Sequence, residues 1–171
     1  MTPPGESGSP RPGHPPGLPF RHPAVWLATA FGIGFLPLGP GTWASLATLP
    51  VAWLIGAAGG PAALVAAASI VFLVGCWAGG VFAAARGVKD PGAVVIDEVA
   101  GQLLTLAVAP PRLFPYAVGF LLFRLADIVK PWPASWADQR LAGGLGIMLD
   151  DAFAAIYAGA VLFLLLRFGL V

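Results

Sequence analysis

The sequence predicts an all-α fold, a multi-helix membrane bundle with short or re-entrant helices and with polar motif loops on one face. Of its 171 residues, 58% are hydrophobic and only 10% are charged, whereas soluble domains carry about 25% charged residues. The mean hydropathy is +0.84. The apolar segment 61–85 is long enough to cross a hydrocarbon core of about 30 Å at about 1.5 Å per residue. The few charged residues collect at the ends of such segments, which predicts polar loops at the membrane surface.

The composition divides the chain into two parts. Residues 1–23 contain eight prolines and four glycines, and a segment of that composition buries too little apolar surface to offset the entropy of ordering. We therefore predict a disordered tail over 1–23. Residues 24–171 are predicted to form a single helical membrane domain.

Five apolar segments follow the tail, and we expect them to alternate in direction across the bundle. They are 42–58, 61–85, 98–110, 112–126 and 151–168. With this alternation every polar motif emerges on the same face. Because the segment 98–110 is short for a full span, one or two of the helices are expected to be re-entrant or tucked within the bundle.

Basic residues are unequally divided between the two predicted faces. The motif face carries Arg11, Arg21, Arg86, Lys89, Arg124, Lys130 and Arg140, and the opposite face carries Arg112 and Arg167. The positive-inside rule then predicts that the motif face is cytoplasmic and that the protein is multi-pass. The net charge of +1 and the scatter of the basic residues give no signature of nucleic-acid binding, so no nucleic-acid partner is expected.

Histidine and cysteine are scarce in the helical body. Cys76 is the only cysteine and lies in an apolar run, where a small packing role is expected. His14 and His22 fall in or beside the tail. The domain therefore offers no catalytic histidine.

The segment 123–133 carries the clearest polar motif. Arg124, Asp127 and Lys130 recur at every third residue, so on a helix they lie on one face, and Pro131 is expected to end that helix. Two cations around a carboxylate suit a phosphate group together with a metal ion. A salt-bridged helix end with snorkelling side chains is the structural alternative.

A second motif follows a glycine- and proline-rich interruption at 32–42. Thr42 is predicted to cap a helix that continues to about Ile55, with Ser45 in its first turn. The backbone N–H groups there attract an anion, so Thr42 and Ser45 are candidate phosphate-binding residues. Ordinary helix capping is the alternative.

Two carboxylate pairs precede apolar segments. Asp97 and Glu98 begin one, Asp150 and Asp151 begin another, and Asp127 adds a fifth carboxylate on the same face. Each pair could simply cap a helix, but carboxylates at a membrane edge are costly without a metal or basic partner. We predict that these five supply most of the oxygens that bind a metal, whereas Asp90 and Asp138 are expected to be solvated. Gly143, Gly144 and Gly146 would let backbone amides approach a phosphate.

These motifs, in this order and spacing, resemble the phosphatidylglycerophosphatase A family from about residue 26 to 160. The matching pieces are Gly39-Pro40-Gly41-Thr42 with Ser45, Asp97-Glu98 with Gly101, Phe123-Arg124 with Asp127, Lys130-Pro131 and Pro133, and Gly143-Gly144 through Gly146 to Asp150-Asp151. The resemblance implies a Mg²⁺-dependent phosphatase that converts phosphatidylglycerophosphate into phosphatidylglycerol at the inner face of a bacterial membrane. It also implies an all-helical bundle.

The residues favour this interpretation over others. Carboxylates at three places, two cations and a hydroxyl-bearing helix start are what phosphoryl transfer requires, with Arg124 and Lys130 on the phosphate. An acid-phosphatase type of lipid phosphatase needs a catalytic histidine. The motifs of CDP-alcohol phosphotransferases and of Asp-x-Asp phosphatases are absent from the sequence. The nucleophile is left open between a carboxylate and a water molecule.

The alternative to an enzyme is a small membrane transporter or channel with a one-sided charged cluster. Charges along an ion path should occur at several depths, but here they are expected at one side only.

Overall fold

The computed structural model describes residues 14, 15 and 17–171, and these form helices without a strand, which confirms the predicted all-α class. The six α-helices are α1 (Pro23–Ala28), α2 (Pro40–Arg86), α3 (Ile96–Leu106), α4 (Leu113–Val129), α5 (Ala134–Arg140) and α6 (Gly143–Arg167), with a short 3-10 helix at Ile33–Phe35. Most of the predicted tail, including Arg11, lies outside the described residues. The disorder of the tail stays a prediction.

Helix α2 is a helical hairpin. Gly60 has φ 65° and ψ −160°, so the helical path breaks there, and Pro61 begins the second half with a φ that suits a first helical turn. The break falls between the predicted segments 42–58 and 61–85. The predicted cap at Thr42 is wrong, because Pro40 already occupies the first turn and Gly39 is the N-cap.

The hairpin, α3, α4 and α6 alternate in direction. One apolar cluster takes a member from each of these segments, and its members include Ala52, Leu64, Leu106, Tyr116 and Leu162. Tyr116 Oη also donates a hydrogen bond of 3.2 Å to Ala52 O. On the first half of α2 and on α3, α4 and α6 the polar motif lies about two to three turns from this cluster, so these motifs meet at the other end, which we call the motif end.

Helix α6 begins earlier than predicted. It starts at Gly143 instead of 151, with Ala142 as its N-cap, so Asp150 and Asp151 lie within the helix and cap nothing. The reason is packing against α2: a Cβ on Gly144 would lie 2.6 Å from Cys76 C and 2.8 Å from Gly80 N. Gly146 is likewise buried against Leu141. Gly144 therefore allows close contact between α6 and α2, Gly146 allows close contact with the connection at Leu141, and neither opens its backbone to a phosphate.

Among the described residues, two helices have the length and apolar composition to cross a membrane, α2 and α6. Their outer surfaces keep large apolar side chains exposed, such as Leu73 (69%) and Ile156 (60%). An apolar exterior of this extent suits contact with lipid. Helix α3 has 11 residues, which is only about 16 Å, so the expectation of a short helix within the bundle is confirmed.

Candidate active site

The candidate active site lies at the motif end, where α2 and α3 begin, α4 ends and α6 passes. Asp97 and Glu98 fall in the first turn of α3, after an N-cap at Val95. The free backbone N–H groups of a helix start favour negative charge at these positions. Val95 N donates a 2.8 Å hydrogen bond to Ala28 O on α1, which ties this helix start to its neighbour.

Three carboxylates from two helices form a compact triad. Asp97, Glu98 and Asp151 each offer a carboxylate oxygen, and these oxygens lie within 4.8 Å of one another. Asp97 Oδ1, Glu98 Oε2 and Asp151 Oδ2 are buried and accept no hydrogen bond. Burial, followed by the charges of Glu98 and Asp151, holds the pKa of Asp97 well above its ordinary value. Arg124 Nη1 on α4 lies 3.7 Å from Glu98 Oε1, but one cation does not offset three crowded carboxylates, so the triad is costly in the fully charged form.

The triad has the donor set of a site for a hard divalent cation. Mg²⁺ prefers carboxylate oxygens and usually keeps several of its waters. The buried oxygens of Asp97, Glu98 and Asp151 fit that requirement, since each accepts no hydrogen bond from the described residues and is free to bind a cation.

Arg124 stands beside the triad on α4. Its Nη1 lies 2.6 Å from Asp127 Oδ2 and 3.7 Å from Glu98 Oε1. Neither contact has the alignment of a hydrogen bond, and Arg124 Nε and Nη1 are buried without a hydrogen-bond acceptor. The guanidinium is therefore held in place by charge but keeps donors for a further anion. Asp127 and the triad member Glu98 thus share Arg124 as an ion-pair partner, so the predicted motif and the triad form one site.

Lys130 forms a separate ionic cluster. It ends α4 in the left-handed conformation, with φ 48°, and Pro131 follows as predicted. Its Nζ lies 2.6 Å from Asp150 Oδ2 and 3.0 Å from Asp138 Oδ1. Burial lowers the pKa of Lys130, but hydrogen bonds and charge from Asp150 and Asp138 outweigh it and raise this pKa above its ordinary value.

The structure therefore separates Asp150 from the triad. Asp150 pairs with Lys130, and its Oδ1 accepts a 3.0 Å hydrogen bond from Asp151 N. Its role as a metal ligand stays a prediction. Asp138 is not simply solvated as expected, because it pairs with Lys130, whereas Asp90 is exposed.

Gly41 was not among the predicted site residues. A Cβ on Gly41 would lie 2.7 Å from Glu98 Cδ and 3.3 Å from Arg124 Nη1. Only glycine lets the start of α2 approach these groups. A glycine in the first turn of a helix was the available sequence signal, because glycine is a poor helix former and is kept there for a reason of packing.

One helical turn below, a buried polar layer lies between α2 and α3. Ser45 is four residues after Gly41 and Gln102 is four residues after Glu98, so both lie one helical turn further into the bundle than the contact between Gly41 and Glu98. Both side chains are fully buried, and Ser45 Oγ, Gln102 Oε1 and Gln102 Nε2 have no hydrogen-bond partner. Gln102 was also missed by sequence reasoning. Thr42, in contrast, is exposed at the start of α2.

Comparisons with known proteins agree on one family. The sequence model of the family described as "PgpA: Phosphatidylglycerophosphatase A" matches residues 26–166. A protein of that name from Haemophilus influenzae is 37% identical over 147 residues, which cover 85% of this chain and 90% of the relative. A protein of the same name from Escherichia coli is 36% identical over 151 residues, which cover 85% of this chain and 85% of the relative. No solved structure matches.

A third relative bears a different name. A protein from Bacteroides thetaiotaomicron, provisionally named a phosphatidylinositol-3-phosphatase, is 36% identical over 144 residues, which cover 78% of this chain and 87% of the relative. All three names describe the removal of a phosphate from a lipid head group.

Proposed function

This chain belongs to the phosphatidylglycerophosphatase A family, and we propose that it is a Mg²⁺-dependent lipid phosphatase that hydrolyses phosphatidylglycerophosphate to phosphatidylglycerol and phosphate. The observation that supports this most is the triad of Asp97, Glu98 and Asp151, whose buried oxygens lack partners, beside an arginine with unused donors. A cation site next to an anion site is the arrangement that phosphoryl transfer requires.

In the proposed reaction, Asp97, Glu98 and Asp151 would hold Mg²⁺. When bound, Mg²⁺ would supply positive charge that offsets the charge developing on the phosphoryl oxygens. Arg124 donates its free N–H groups to the terminal phosphate, while Asp127 holds the guanidinium from the other side. The bond from phosphorus to the glycerol oxygen breaks, this oxygen takes up a proton, and water supplies the oxygen that completes the released phosphate.

The remaining predicted residues take outer positions in this proposal. Ser45 lies one helical turn further into the bundle than the contact between Gly41 and Glu98, and it offers a buried hydroxyl. Thr42 lies at the exposed start of α2, where a head group would enter. Lys130 and Asp150 hold the end of α4 against α6. The Lys130 ammonium adds positive charge near the site even when it does not contact the phosphate.

We also propose that the motif end faces the cytoplasm at a bacterial inner membrane. Trp43, Trp132 and Trp136 are exposed at this end, and tryptophan is enriched where a membrane meets water. Arg21, Arg86, Lys89 and Arg140 lie there as well, against Arg112 and Arg167 at the opposite end. Cysteine labelling in a Cys76→Ala background tests this: a cysteine at Gln139 should resist an impermeant reagent in intact cells, and a cysteine at Leu113 should react. The reverse pattern would contradict the orientation.

The substrate is tested with purified protein in mixed micelles. Phosphatidylglycerophosphate, phosphatidylinositol 3-phosphate and free glycerol 3-phosphate are compared at equal concentration in Mg²⁺, with released phosphate as the readout. We expect the highest kcat/KM for phosphatidylglycerophosphate. A higher value for phosphatidylinositol 3-phosphate would reassign the head group, and no release from either lipid would contradict the proposed activity.

A further inference from the structure

A side groove lies next to the site but outside the machinery described above. It is a cavity of about 260 Å³ between the second half of α2, α3 and α6. Its lining is apolar except for the hydroxyl of Ser69, and it includes Ala68, Gly101, Leu104 and Ala152. We call this cavity the side groove.

The upper end of the side groove touches the backbone of the triad. Ala152 follows Asp151 directly. Gly101 faces the same turn, since a Cβ there would lie 3.2 Å from Asp151 O and 2.5 Å from Phe123 Cε2. The groove is therefore continuous with the part of α6 that carries a predicted metal ligand.

The lower end of the side groove is deeper in the bundle. Leu104 is seven residues beyond Asp97 on α3, a descent of about 10 Å at about 1.5 Å per residue. Ala68 and Ser69 line the groove from α2, which runs antiparallel to α3 here. The long axis thus leads from the carboxylates toward the middle of the bundle.

The side groove opens on the outer surface of the bundle. Leu73 lines it and is 69% exposed, and the neighbouring Ile70 is 63% exposed. These residues belong to α2, which has the length and composition to cross a membrane. An apolar molecule in the bilayer could therefore enter the groove sideways without leaving the hydrocarbon.

We propose that the side groove binds the upper part of one acyl chain of the lipid substrate. This inference rests on the proposed function, because it needs a lipid whose phosphate lies at the triad. The descent of about 10 Å leaves room for the glycerol and diester linker between the phosphate and the chain. An apolar lining, a sideways opening and a depth that increases away from the phosphate all match a phospholipid that remains in its bilayer.

The test places a larger side chain in the lower end of the side groove by substituting an exposed residue that lines it. Ser69→Phe replaces a small exposed side chain that belongs neither to a core cluster nor to the triad, so neither is disturbed. Ile70→Phe is the matched control, because Ile70 is the next residue and equally on the outer surface but does not line the groove. Ser69→Leu is measured beside them as a smaller change in case the aromatic ring impairs folding.

Each protein is assayed on phosphatidylglycerophosphate with short chains of about six carbons and with long chains of about eighteen carbons. We expect Ser69→Phe to lower the ratio of long-chain to short-chain kcat/KM by about tenfold, as an occupied apolar pocket does. Ser69→Leu should lower it less, and Ile70→Phe should leave it unchanged. An unchanged ratio in both Ser69 variants would overturn the proposal.

Two further outcomes distinguish this proposal from a failure of the proposed function and from an oligomer interface. If the wild-type protein released no phosphate from either lipid, the proposed function itself would fail, and the groove would have no substrate to hold. If Ser69→Phe changed the oligomeric state in detergent and not the chain-length ratio, the side groove would be an interface between copies of this chain. That result would also overturn the proposal.

Discussion

Gly41 on α2 and Glu98 on α3 approach so closely that a Cβ on the glycine would lie 2.7 Å from Glu98 Cδ. Gly41→Ala therefore has to displace either the Glu98 carboxylate or the start of α2. Because a misplacement of about 1 Å at a reacting centre can cost about a hundredfold in rate, we expect a loss of that order in turnover per folded molecule.

Gly92→Ala is the matched control for that substitution. Gly92 lies in the loop before α3, and a Cβ there would meet nothing within 4 Å. It should keep wild-type turnover and melting temperature. If Gly41→Ala behaved in the same way, the close approach to Glu98 would have no bearing on activity.

Arg124 is expected to act on the phosphate with a fork of donors. Arg124→Ala should lower turnover by about a hundred- to a thousandfold, the range seen when a donor to developing negative charge is removed. Arg124→Lys should rescue little, because a lysine offers a point charge and no bidentate fork. Turnover per folded molecule is measured beside thermal stability in detergent. A lower melting temperature with normal turnover would return Arg124 to a purely structural ion pair with Asp127.

The carboxylate triad should destabilise the protein when no metal is bound. Asp97→Asn and Asp151→Asn each remove one charge from a crowded buried group, so in EDTA both variants should melt higher than the wild type. A gain of about 1 kcal/mol in the free energy of unfolding would raise the melting temperature by about 2–4 °C. With Mg²⁺ at about a hundred times its dissociation constant, the wild type should gain about 2.7 kcal/mol and the variants much less.

The exposed Asp90→Asn is the control for this measurement, and it should change neither the melting temperature nor the response to Mg²⁺. Variants of Asp97 and Asp151 that melted lower in EDTA and still responded fully to Mg²⁺ would show that the triad does not hold the metal.

Lys130 and Asp150 should behave as a coupled structural pair. Lys130→Met leaves Asp150 buried without its cation, and Asp150 is only 5% exposed, so we expect a loss of about 1–3 kcal/mol of stability. Asp150→Asn should cost a similar amount. Since the two residues touch, the double variant should lose at least about 0.5 kcal/mol less than the sum of the single losses. Additive stability losses with a large drop in turnover would instead place Lys130 on the phosphate.

The sequence was sufficient to predict the alternation of the segments and the end that carries the motifs. The break at Gly60 and Pro61 and the carboxylates at the start of α3 follow from local chemistry, because glycine and proline interrupt helices and acidic residues favour their first turn. Arg124 and Asp127 were likewise expected on one helical face, and they pair as neighbours one turn apart.

The remaining features depend on contacts between distant segments. Glycine is a poor helix former, so the sequence alone places the start of α6 after Gly143 and Gly144, but packing on Cys76 and Gly80 extends the helix. The pairing of Asp150 with Lys130, and not with Asp151 in a common metal site, is also a tertiary outcome. Asp150 and Asp151 point about 100° apart on α6, and here Asp151 joins the triad while Asp150 reaches Lys130 at the end of α4.

The most direct test of the account is a titration of phosphate release from phosphatidylglycerophosphate against Mg²⁺ with purified wild-type protein and Asp151→Asn. We predict no turnover by the wild type in EDTA, a saturable rise with added Mg²⁺ and equimolar phosphatidylglycerol and phosphate as products. Asp151→Asn should need far more Mg²⁺ or show no rise. Wild-type turnover that proceeds at the same rate in EDTA, or a titration curve that Asp151→Asn leaves unchanged, would contradict the account.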